Sequence, residues 1–239
     1  MAVKSRKKKE AELHWVTTPK QARSQERLER LLDSAEEVIA EKGFEQASVA
    51  EIMGRAGSSV GLFYQRFKSK DDLLRCLLER FSDASIATAD LAFDPSHWEG
   101  KSIRVIVEQV IPFLVSVYRQ RRGLIRAILL RASVDPEFNQ SAHAAELHIA
   151  ELLERLCLDR IEQISHPDPK TAVRLAYQML RSTLNSLALF ELKERAGFSL
   201  DHPVLEKELT RAFLRLIGFR SVALHDNPNE KVPAKRKRT

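Results

Sequence analysis

Two groups of polar residues have the spacing of known chemical sites. The first is Gly57-Ser58-Ser59-Val60-Gly61, which matches the G-x-S-x-G pattern of a nucleophilic serine. That site needs a strand before the serine, whereas helical patterns flank this one and no stretch alternates for long enough to predict a strand. The second group is His143, Glu146 and His148, but five residues along a helix place the two histidines about 140° apart. We therefore predict neither an enzyme nor a metal site, and no cofactor.

The two cysteines, Cys76 and Cys157, each lie within a helical apolar pattern and are far apart in the sequence. They form neither a C-x-x-C pair nor a zinc-type cluster, so we expect two small core residues, with a redox-sensing thiol as the alternative. The basic N-terminus lacks the apolar stretch of a signal peptide, and no uncharged run is long enough to span a bilayer. These features predict a cytoplasmic protein with no membrane partner.

Positive charge is unevenly distributed along the chain. The net charge of the 239 residues is +6, yet residues 1–23 carry seven basic and two acidic residues, and residues 231–239 carry five basic residues and no acidic one. Between residues 52 and 70 the charged residues are all basic: Arg55, Arg66, Lys68 and Lys70. Such a segment is complementary to the phosphate backbone of a nucleic acid. The alternative is an ordinary solvated helix face.

The elements that would position these charges form a helix-turn-helix pattern. Ser48 and Glu51 have the spacing of a capping box, so a helix is predicted to begin directly after Ser48. Gly57 supplies the backbone freedom that a sharp turn needs. Ser58 or Ser59 can then cap a second helix.

The second helix of this pattern has an inner and an outer side. Phe63 and Phe67 stand four residues apart and are predicted to pack inward. Five residues are left on the outer side: Val60, Leu62, Tyr64, Gln65 and Arg66. These residues are the candidates to contact the nucleic acid.

The segment from about Gln25 to Leu78 resembles the DNA-binding segment of the TetR family. The resemblance is carried by residues that stand in the family's order: Ser48-Val49, Ala56-Gly57, Gly61, Phe63-Tyr64, Phe67 and Lys68-Ser69-Lys70. Two positions differ, because many members carry a polar residue at the place of Val60 and a small hydroxyl residue at the place of Leu62. The resemblance implies a transcriptional repressor that binds double-stranded DNA as a homodimer and is released by a small-molecule effector.

The resemblance also implies the residues that contact DNA. Val60, Gly61 and Leu62 would face base edges in the major groove, where apolar side chains contact thymine methyl groups. Lys20 and Arg23, at the end of a basic arm, could enter the adjacent minor groove. The other expected contacts are Ser48, Ser59, Tyr64, Gln65, Arg66, Lys68 and Lys70.

The periodicity of the remaining chain predicts an all-α protein with about nine or ten helices. We expect an N-terminal three-helix DNA-binding domain with the helix-turn-helix, and a larger C-terminal helical bundle. The expected divisions are a basic disordered arm (1–19), the DNA-binding domain (20–70), an effector-binding and dimerisation domain (71–222) and a basic disordered tail (223–239).

Helix starts and breaks are predicted by proline. Asp135-Pro136 and Asp168-Pro169 each predict a long helix, to about Ser165 and Arg195, because the aspartate caps and the proline takes the first position. Pro203 predicts the start of a last helix, to about Phe219. Pro112 lies in the middle of another helix and predicts a kink there.

Two residue sets in the C-terminal bundle are expected from the resemblance. An effector cavity among the central helices would be lined by a small apolar set, each member of which could instead be plain core: Trp98, Phe113, Val117, Tyr118, Leu129, Tyr177 and Met179. These residues favour a small apolar or amphipathic effector. Dimerisation through the last two long helices would use Leu180, Leu184, Leu187, Phe190, Leu205, Leu209, Leu216 and Ile217. The alternative is that this second set packs inside the monomer.

Other functions remain open at the level of the sequence. An architectural protein could coat DNA non-specifically with its basic tails. An activator could use the same module, since the direction of regulation depends on where the operator lies. A helical enzyme or signalling adaptor that has borrowed the module is a further alternative, but the sequence contains no catalytic constellation to support it.

Overall fold

The computed structural model describes residues 22–190 and 197–221. The predicted basic arm and basic tail lie outside these ranges. Within them the chain is all-α, as predicted, with nine α-helices: α1 Ala22–Lys42, α2 Val49–Arg55, α3 Val60–Arg66, α4 Lys70–Ala92, α5 Ile103–Gln120, α6 Arg122–Ala132, α7 Pro136–Leu158, α8 Pro169–Leu189 and α9 Leu205–Leu216. Two short 3₁₀ helices, Pro95–Trp98 and Ile161–Gln163, complete the regular structure. None of these described helices is both long and apolar enough to cross a membrane.

Serine caps define the first helices. The hydroxyl of Ser48 accepts from the N–H of Glu51 at 3.2 Å, and that of Ser59 accepts from the N–H of Leu62 at 3.4 Å. The predicted capping box at Ser48 is only half formed, because the Glu51 carboxylate pairs with Lys42 at 2.6 Å instead. Gly57, with φ of 62°, makes the predicted turn between α2 and α3. The helix-turn-helix is therefore built by local chemistry that the sequence displays.

The N-terminal core extends beyond residue 70. Buried residues of α1, α2 and α3 form one cluster with the first half of α4, and this cluster also includes Leu124, Ala127 and Ile128 of α6 and Phe138 of α7. The division of the chain at residue 70 stays a prediction. The apolar packing itself runs without a break from the helix-turn-helix into the first residues of the larger bundle.

One close backbone contact joins α6 to α1. A Cβ atom at Gly123 would lie 2.7 Å from the carbonyl oxygen of Ile39 and 3.0 Å from the Cα of Ala40. Real Cβ atoms do not approach backbone atoms so closely, so the two helices can meet here only because residue 123 is glycine. This contact ties α1, the longest helix of the N-terminal unit, to a helix of the bundle.

The second core lies among α5, α7, α8 and α9. Three predicted boundaries were wrong here. Helix α7 ends at Leu158 rather than near Ser165, because Arg160 folds back and donates to the carbonyl of Leu156 at 2.8 Å and to that of Lys101 at 2.7 Å. Helix α8 ends at Leu189, and α9 begins at Leu205 because Pro203 lies in the preceding turn. Pro112 lies inside α5, which continues as one helix on both sides of it.

Candidate functional site

Helix α3 presents the outward face that the sequence predicts. Phe63 and Phe67 are buried, whereas Val60 and Tyr64 are 40% and 59% exposed. Gly61 and Gln65 are also exposed. This exposed side can face a partner, and the major groove of DNA admits an α-helix. Val60 and Gly61, two of the three residues expected at base edges, are thus accessible, and their contacts with DNA stay a prediction.

Gly61 has no structural role within the protein itself. Its φ is not positive, and a Cβ atom there would meet nothing nearer than the Ser59 hydroxyl at 4.0 Å. Glycine within a helix costs about 0.5–1 kcal/mol relative to alanine. The protein's own packing therefore does not require glycine at position 61, and a close approach of DNA to this backbone stays a prediction.

Two residues that are expected to contact DNA, Leu62 and Arg66, also contact other parts of the protein. Leu62 is half-buried and packs against the N-terminal core. Arg66 donates from Nη2 to the hydroxyl of Ser24 at 2.8 Å, and burial lowers the pKa of its guanidinium. Arg66 therefore anchors α3 to the start of α1, and only part of its side chain reaches the surface.

Lys70 is engaged differently from what the resemblance implies. Its ammonium group donates to three backbone carbonyls, those of Phe44 at 2.7 Å, Glu45 at 3.1 Å and Ala47 at 3.2 Å. The Nζ atom also lies 4.5 Å from the centre of the Phe44 ring. Since a lysine ammonium has three N–H donors, all of them are used inside the protein. Lys70 fastens the start of α4 to the loop between α1 and α2.

Among the other expected contact residues and charges of this segment, some are bound within the protein and others are exposed. Arg55 makes a two-pronged ion pair with Glu41 of α1, at 2.6 and 2.7 Å, so it fixes α2 rather than facing outward as a free charge. Lys68 is exposed. The hydroxyls of Ser48 and Ser59 serve as helix caps. Lys20 and the side chain of Arg23 lie outside the described residues.

The groups considered for chemistry in the sequence have structural roles. Ser59 lies between α2 and α3 as a cap, with no strand before it in this part of the chain. His143 lies 3.2 Å from Glu146 while His148 contacts Asp90 at 2.6 Å, and no metal-binding cluster occurs among the described residues. Both cysteines are buried, and burial raises the pKa of each thiol to about 12, so neither is a reactive thiolate near neutral pH.

A largely apolar cavity of about 430 Å³ lies among α4, α5, α6, α7 and α8. Five of the seven expected lining residues are in its wall: Phe113, Val117, Tyr118, Leu129 and Tyr177. Trp98 and Met179 are not. Trp98 is buried elsewhere, with its indole N–H donating to the carbonyl of Ala92 at 2.7 Å, and Met179 lies on the outer side of α8 with 52% of its surface exposed.

The expected dimer residues point mainly into the monomer. Leu180, Leu184, Leu187, Leu205 and Ile217 are buried in the C-terminal core, and Leu209 and Leu216 pack against it. Only Phe190, at 61%, is well exposed. Most of the apolar side chains of the last helices are thus buried in the core of the monomer.

The outer side of α8 carries a separate apolar strip that the sequence reasoning missed. Leu175 and Met179, one helical turn apart, are 46% and 52% exposed. Ser182 and Ser186 continue the same side toward the end of the helix. The signal in the sequence was this spacing of four residues, which was obscured by the stronger stripe of leucines on the opposite side of the helix.

Comparison with known proteins agrees with this geometry. Residues 31–77 match the family model described as bacterial regulatory proteins, tetR family. The HTH-type transcriptional regulator AcrR of Shigella flexneri is 30% identical over 145 residues, which cover 59% of this chain and 63% of that relative. The HTH-type transcriptional activator FasR of Mycolicibacterium smegmatis is 33% identical over 89 residues, covering 37% of this chain and 41% of the relative. The chain thus matches less than two thirds of the length of either relative.

A solved structure extends the likeness over most of the fold. A TetR-family transcriptional regulator from Mesorhizobium loti superimposes with a TM-score of 0.62 and 18% identity, covering 83% of this chain and 96% of that one. The family model and the two relatives show that this chain contains a segment similar to the helix-turn-helix DNA-binding region of tetR-family transcriptional regulators, and the solved structure shows a shared fold over most of the chain.

Proposed function

We propose that this protein is a transcriptional repressor that binds a palindromic operator as a homodimer and leaves it when a small apolar or amphipathic molecule enters the cavity. The observation that supports this most directly is the position of α4. It begins at Lys70, four residues after α3 ends, and its later residues Phe81, Ser85 and Thr88 line the cavity. One helix, α4, therefore connects the exposed side of α3, which would contact DNA, to the cavity, which would hold the ligand.

A second element, α6, can carry the same signal. Its residues Ile125, Ile128 and Leu129 line the cavity, while Gly123 touches the backbone of α1. A ligand that moves α6 outward would shift α1 directly, since nothing compressible lies between two backbones in contact. Release of DNA would then follow from a joint displacement of α1 and α4 beneath α3.

The proposed operator geometry follows from two-fold symmetry. Two copies of α3 must lie about 34–36 Å apart to occupy successive major grooves of DNA. An operator read in this way is a palindrome, and any change in the spacing of the two helices weakens both contacts together. The regulator would act in the cytoplasm, where such an operator is accessible.

The proposal is tested by measuring how operator and effector affect each other. Fragments of the source genome that the protein retains would define the operator, and compounds that raise its melting temperature would define ligands. A ligand that lowers operator affinity about 100-fold needs about 3 kcal/mol of coupling, and the operator must weaken ligand binding by the same factor. Equal ligand affinities with and without operator would exclude the mechanism.

Two alternatives are separated by further measurements. The activator alternative is favoured by the M. smegmatis relative, which is a transcriptional activator. It would appear as a loss, rather than a rise, of target transcription when the gene is deleted. An architectural protein would depend on its basic tails. Removing residues 1–19 and 223–239 should leave site-specific binding largely intact in a repressor, and abolish most binding in a protein that coats DNA.

A further inference from the structure

An ion pair lies in the wall of the largely apolar cavity. Arg181 of α8 and Glu146 of α7 are joined through Nη2 and Oε1, and their side chains are only 20% and 29% exposed. The guanidinium also lies against the face of the Tyr118 ring, with Cζ 5.3 Å from the ring centre. All three residues line the cavity. A ligand that fills the apolar space therefore meets this charged pair.

Several other polar side chains in the wall have hydrogen-bond partners within the protein. The hydroxyls of Ser85 and Thr88 donate to carbonyls one turn earlier in α4, each at 2.7 Å. The Tyr118 hydroxyl donates to Oδ1 of Asn185 at 2.5 Å. The Nε of Arg181, by contrast, is buried and has no acceptor among the residues that the structure describes. Buried donors without acceptors are uncommon in native proteins, so this N–H needs a partner other than those residues.

Glu146 does not fully occupy the arginine. Its second oxygen lies 3.2 Å from Nδ1 of His143, whose side chain is 63% exposed. The carboxylate therefore has a second partner close to solvent. Arginine has five N–H donors arranged so that a carboxylate can take two of them side by side, and Glu146, which pairs with Nη2, leaves Nε without an acceptor. Burial also lowers the pKa of Arg181, which reflects a poorly hydrated cation that gains from a further anion.

We infer that the effector is an apolar molecule that carries one carboxylate, and that Arg181 receives this carboxylate while the hydrocarbon part fills the cavity. The inference rests on the proposed function of the cavity and specifies its ligand class. An amine is a poorer candidate, because Glu146, the acidic side chain in the wall, already has two cationic or polar partners in Arg181 and His143. A neutral hydroxyl could accept from Nε, but its hydrogen bond would be weaker than the charge-assisted one of a carboxylate.

The test compares three ligands that share one hydrocarbon chain. Binding of octanoate, 1-octanol and octylamine to the full-length protein is measured by calorimetry in the absence of DNA. Octanoate should bind about 10-fold to 100-fold more tightly than octanol, the range expected for a charge-assisted hydrogen bond in a poorly hydrated site. Arg181→Met should reduce octanoate to the affinity of octanol and leave octanol itself nearly unchanged.

Glu146→Gln supplies an independent test, in which the affinity for octanoate is expected to rise rather than fall. It removes the competing carboxylate without removing the arginine, so octanoate should bind more tightly than to the wild-type protein. This variant also decides the question if Arg181→Met does not fold. Arg104→Met is the matched control, because Arg104 pairs with Glu108 on the surface of α5, where the two side chains are 54% and 49% exposed. It should leave all three affinities unchanged.

The inference is overturned if octanoate binds no better than octanol, or if Glu146→Gln weakens octanoate. It is equally overturned if octylamine binds best and loses affinity in Glu146→Gln. Failure of the proposed function is a separate outcome. A protein that binds no specific operator in a mobility-shift assay would refute that function, even if octanoate bound as expected. Octanoate binding that follows the expected pattern but leaves operator affinity unchanged would support the ligand class and refute its role as effector.

Discussion

Lysines 68 and 70 are two residues apart and have similar charge, yet the structure gives them different roles. The ammonium group of Lys70 is held by three carbonyls, whereas the Lys68 side chain is exposed. Lys70→Met should therefore lower the free energy of unfolding by about 1–3 kcal/mol, because three backbone acceptors lose their donor and two of these hydrogen bonds are partly buried. Thermal unfolding measures this effect, and weaker operator binding should accompany it.

Lys68→Met is the control for that substitution. It should leave the melting temperature nearly unchanged and reduce the slope of log affinity against log salt by about one phosphate contact. If Lys70→Met instead reduced the salt slope at an unchanged melting temperature, its ammonium would bind phosphate, as the family resemblance implies. The internal role argued from the three carbonyls would then be wrong.

Gly61 and Gly54 form a second matched pair at the residue scale. Both are exposed glycines within short helices, and added Cβ atoms would meet no protein atom closer than 4.0 Å. Gly61→Ala and Gly54→Ala should each raise the free energy of unfolding by about 0.5–1 kcal/mol. Only Gly61→Ala should weaken operator binding, because only its methyl group would lie between α3 and the groove.

Mobility-shift titrations of the two glycine variants on one operator separate the roles. Equal operator affinities would mean that DNA does not approach Gly61 closely, and α3 would then dock in another orientation. A loss of affinity in both variants would extend the contact surface to the end of α2. Melting temperatures recorded in parallel show whether either change acts through folding.

At the scale of the element, Gly123 determines how closely α6 lies against α1. Because an added Cβ would clash with backbone atoms of Ile39 and Ala40, Gly123→Ala should force the helices apart and destabilise the protein by about 1–3 kcal/mol. Thermal unfolding tests this directly. Leu130→Ala is the control on the same helix, since Leu130 is 48% exposed and its loss should have little effect. An unchanged melting temperature in Gly123→Ala would show that the two backbones can separate at no cost.

Helix α4 contains a carboxyl group whose ionisation opposes folding. Burial, with a smaller contribution from Asp83, raises the pKa of Glu79 from 4.5 to about 7. The folded state thus binds more protons than the unfolded state between these values, and the free energy of unfolding should fall as pH rises through this window. Glu79→Gln should stabilise the protein at pH 8 by about 1–2 kcal/mol, less than the full shift implies because the group is partly hydrated.

The same substitution should have a much smaller effect at pH 5, where Glu79 is already protonated in the folded protein. Unfolding in urea at the two pH values measures both quantities. Glu108→Gln, at an exposed position of α5, should change stability at neither pH. A stabilisation by Glu79→Gln that is equal at pH 5 and pH 8 would show that the carboxyl does not titrate between them.

The elements differ in how far they could be predicted from the sequence. Helix starts at Ser48, Asp135 and Asp168 were predictable because capping is local and each cap is visible in the residues themselves. The ends of α7 and α8 were not. Helix α7 stops where Arg160 bonds carbonyls of a distant loop, and such a contact exists only after the chain has folded.

The candidate sites show the same limit. Inward Phe63 and outward Tyr64 follow from helical spacing, so the reading face could be predicted. The internal engagement of Lys70 and the pairing of Arg181 with Glu146 join residues far apart in sequence, and periodicity contains no information about them. For the final helices, periodicity showed more apolar residues than one buried stripe requires. It could not decide whether another helix of the same chain or a second protomer covers them.

At the scale of the whole molecule, we expect the proposed dimer to be joined by the outer side of α8. The buried leucines of α8 cannot form it, because Leu184 is fully enclosed by the monomer's own core. Leu175 and Met179 are exposed and lie one turn apart, and Ser182 and Ser186 allow a second helix to approach closely along the same side. Met179→Glu should therefore convert a dimer into a monomer, as measured by analytical ultracentrifugation, while the melting temperature of the dilute protein changes little.

Leu147→Glu is the control for this substitution. Leu147 is 56% exposed, comparable with Met179, but lies on α7 rather than on the strip along α8. It should leave the mass unchanged, which shows that a new surface charge alone does not dissociate the protein. Because two half-sites are bound together only by a dimer, Met179→Glu should also weaken operator binding far more than binding to random DNA. If the Met179→Glu protein remained dimeric, the dimer interface would lie on another face of the molecule. The spacing of the two α3 helices would then depend on that face.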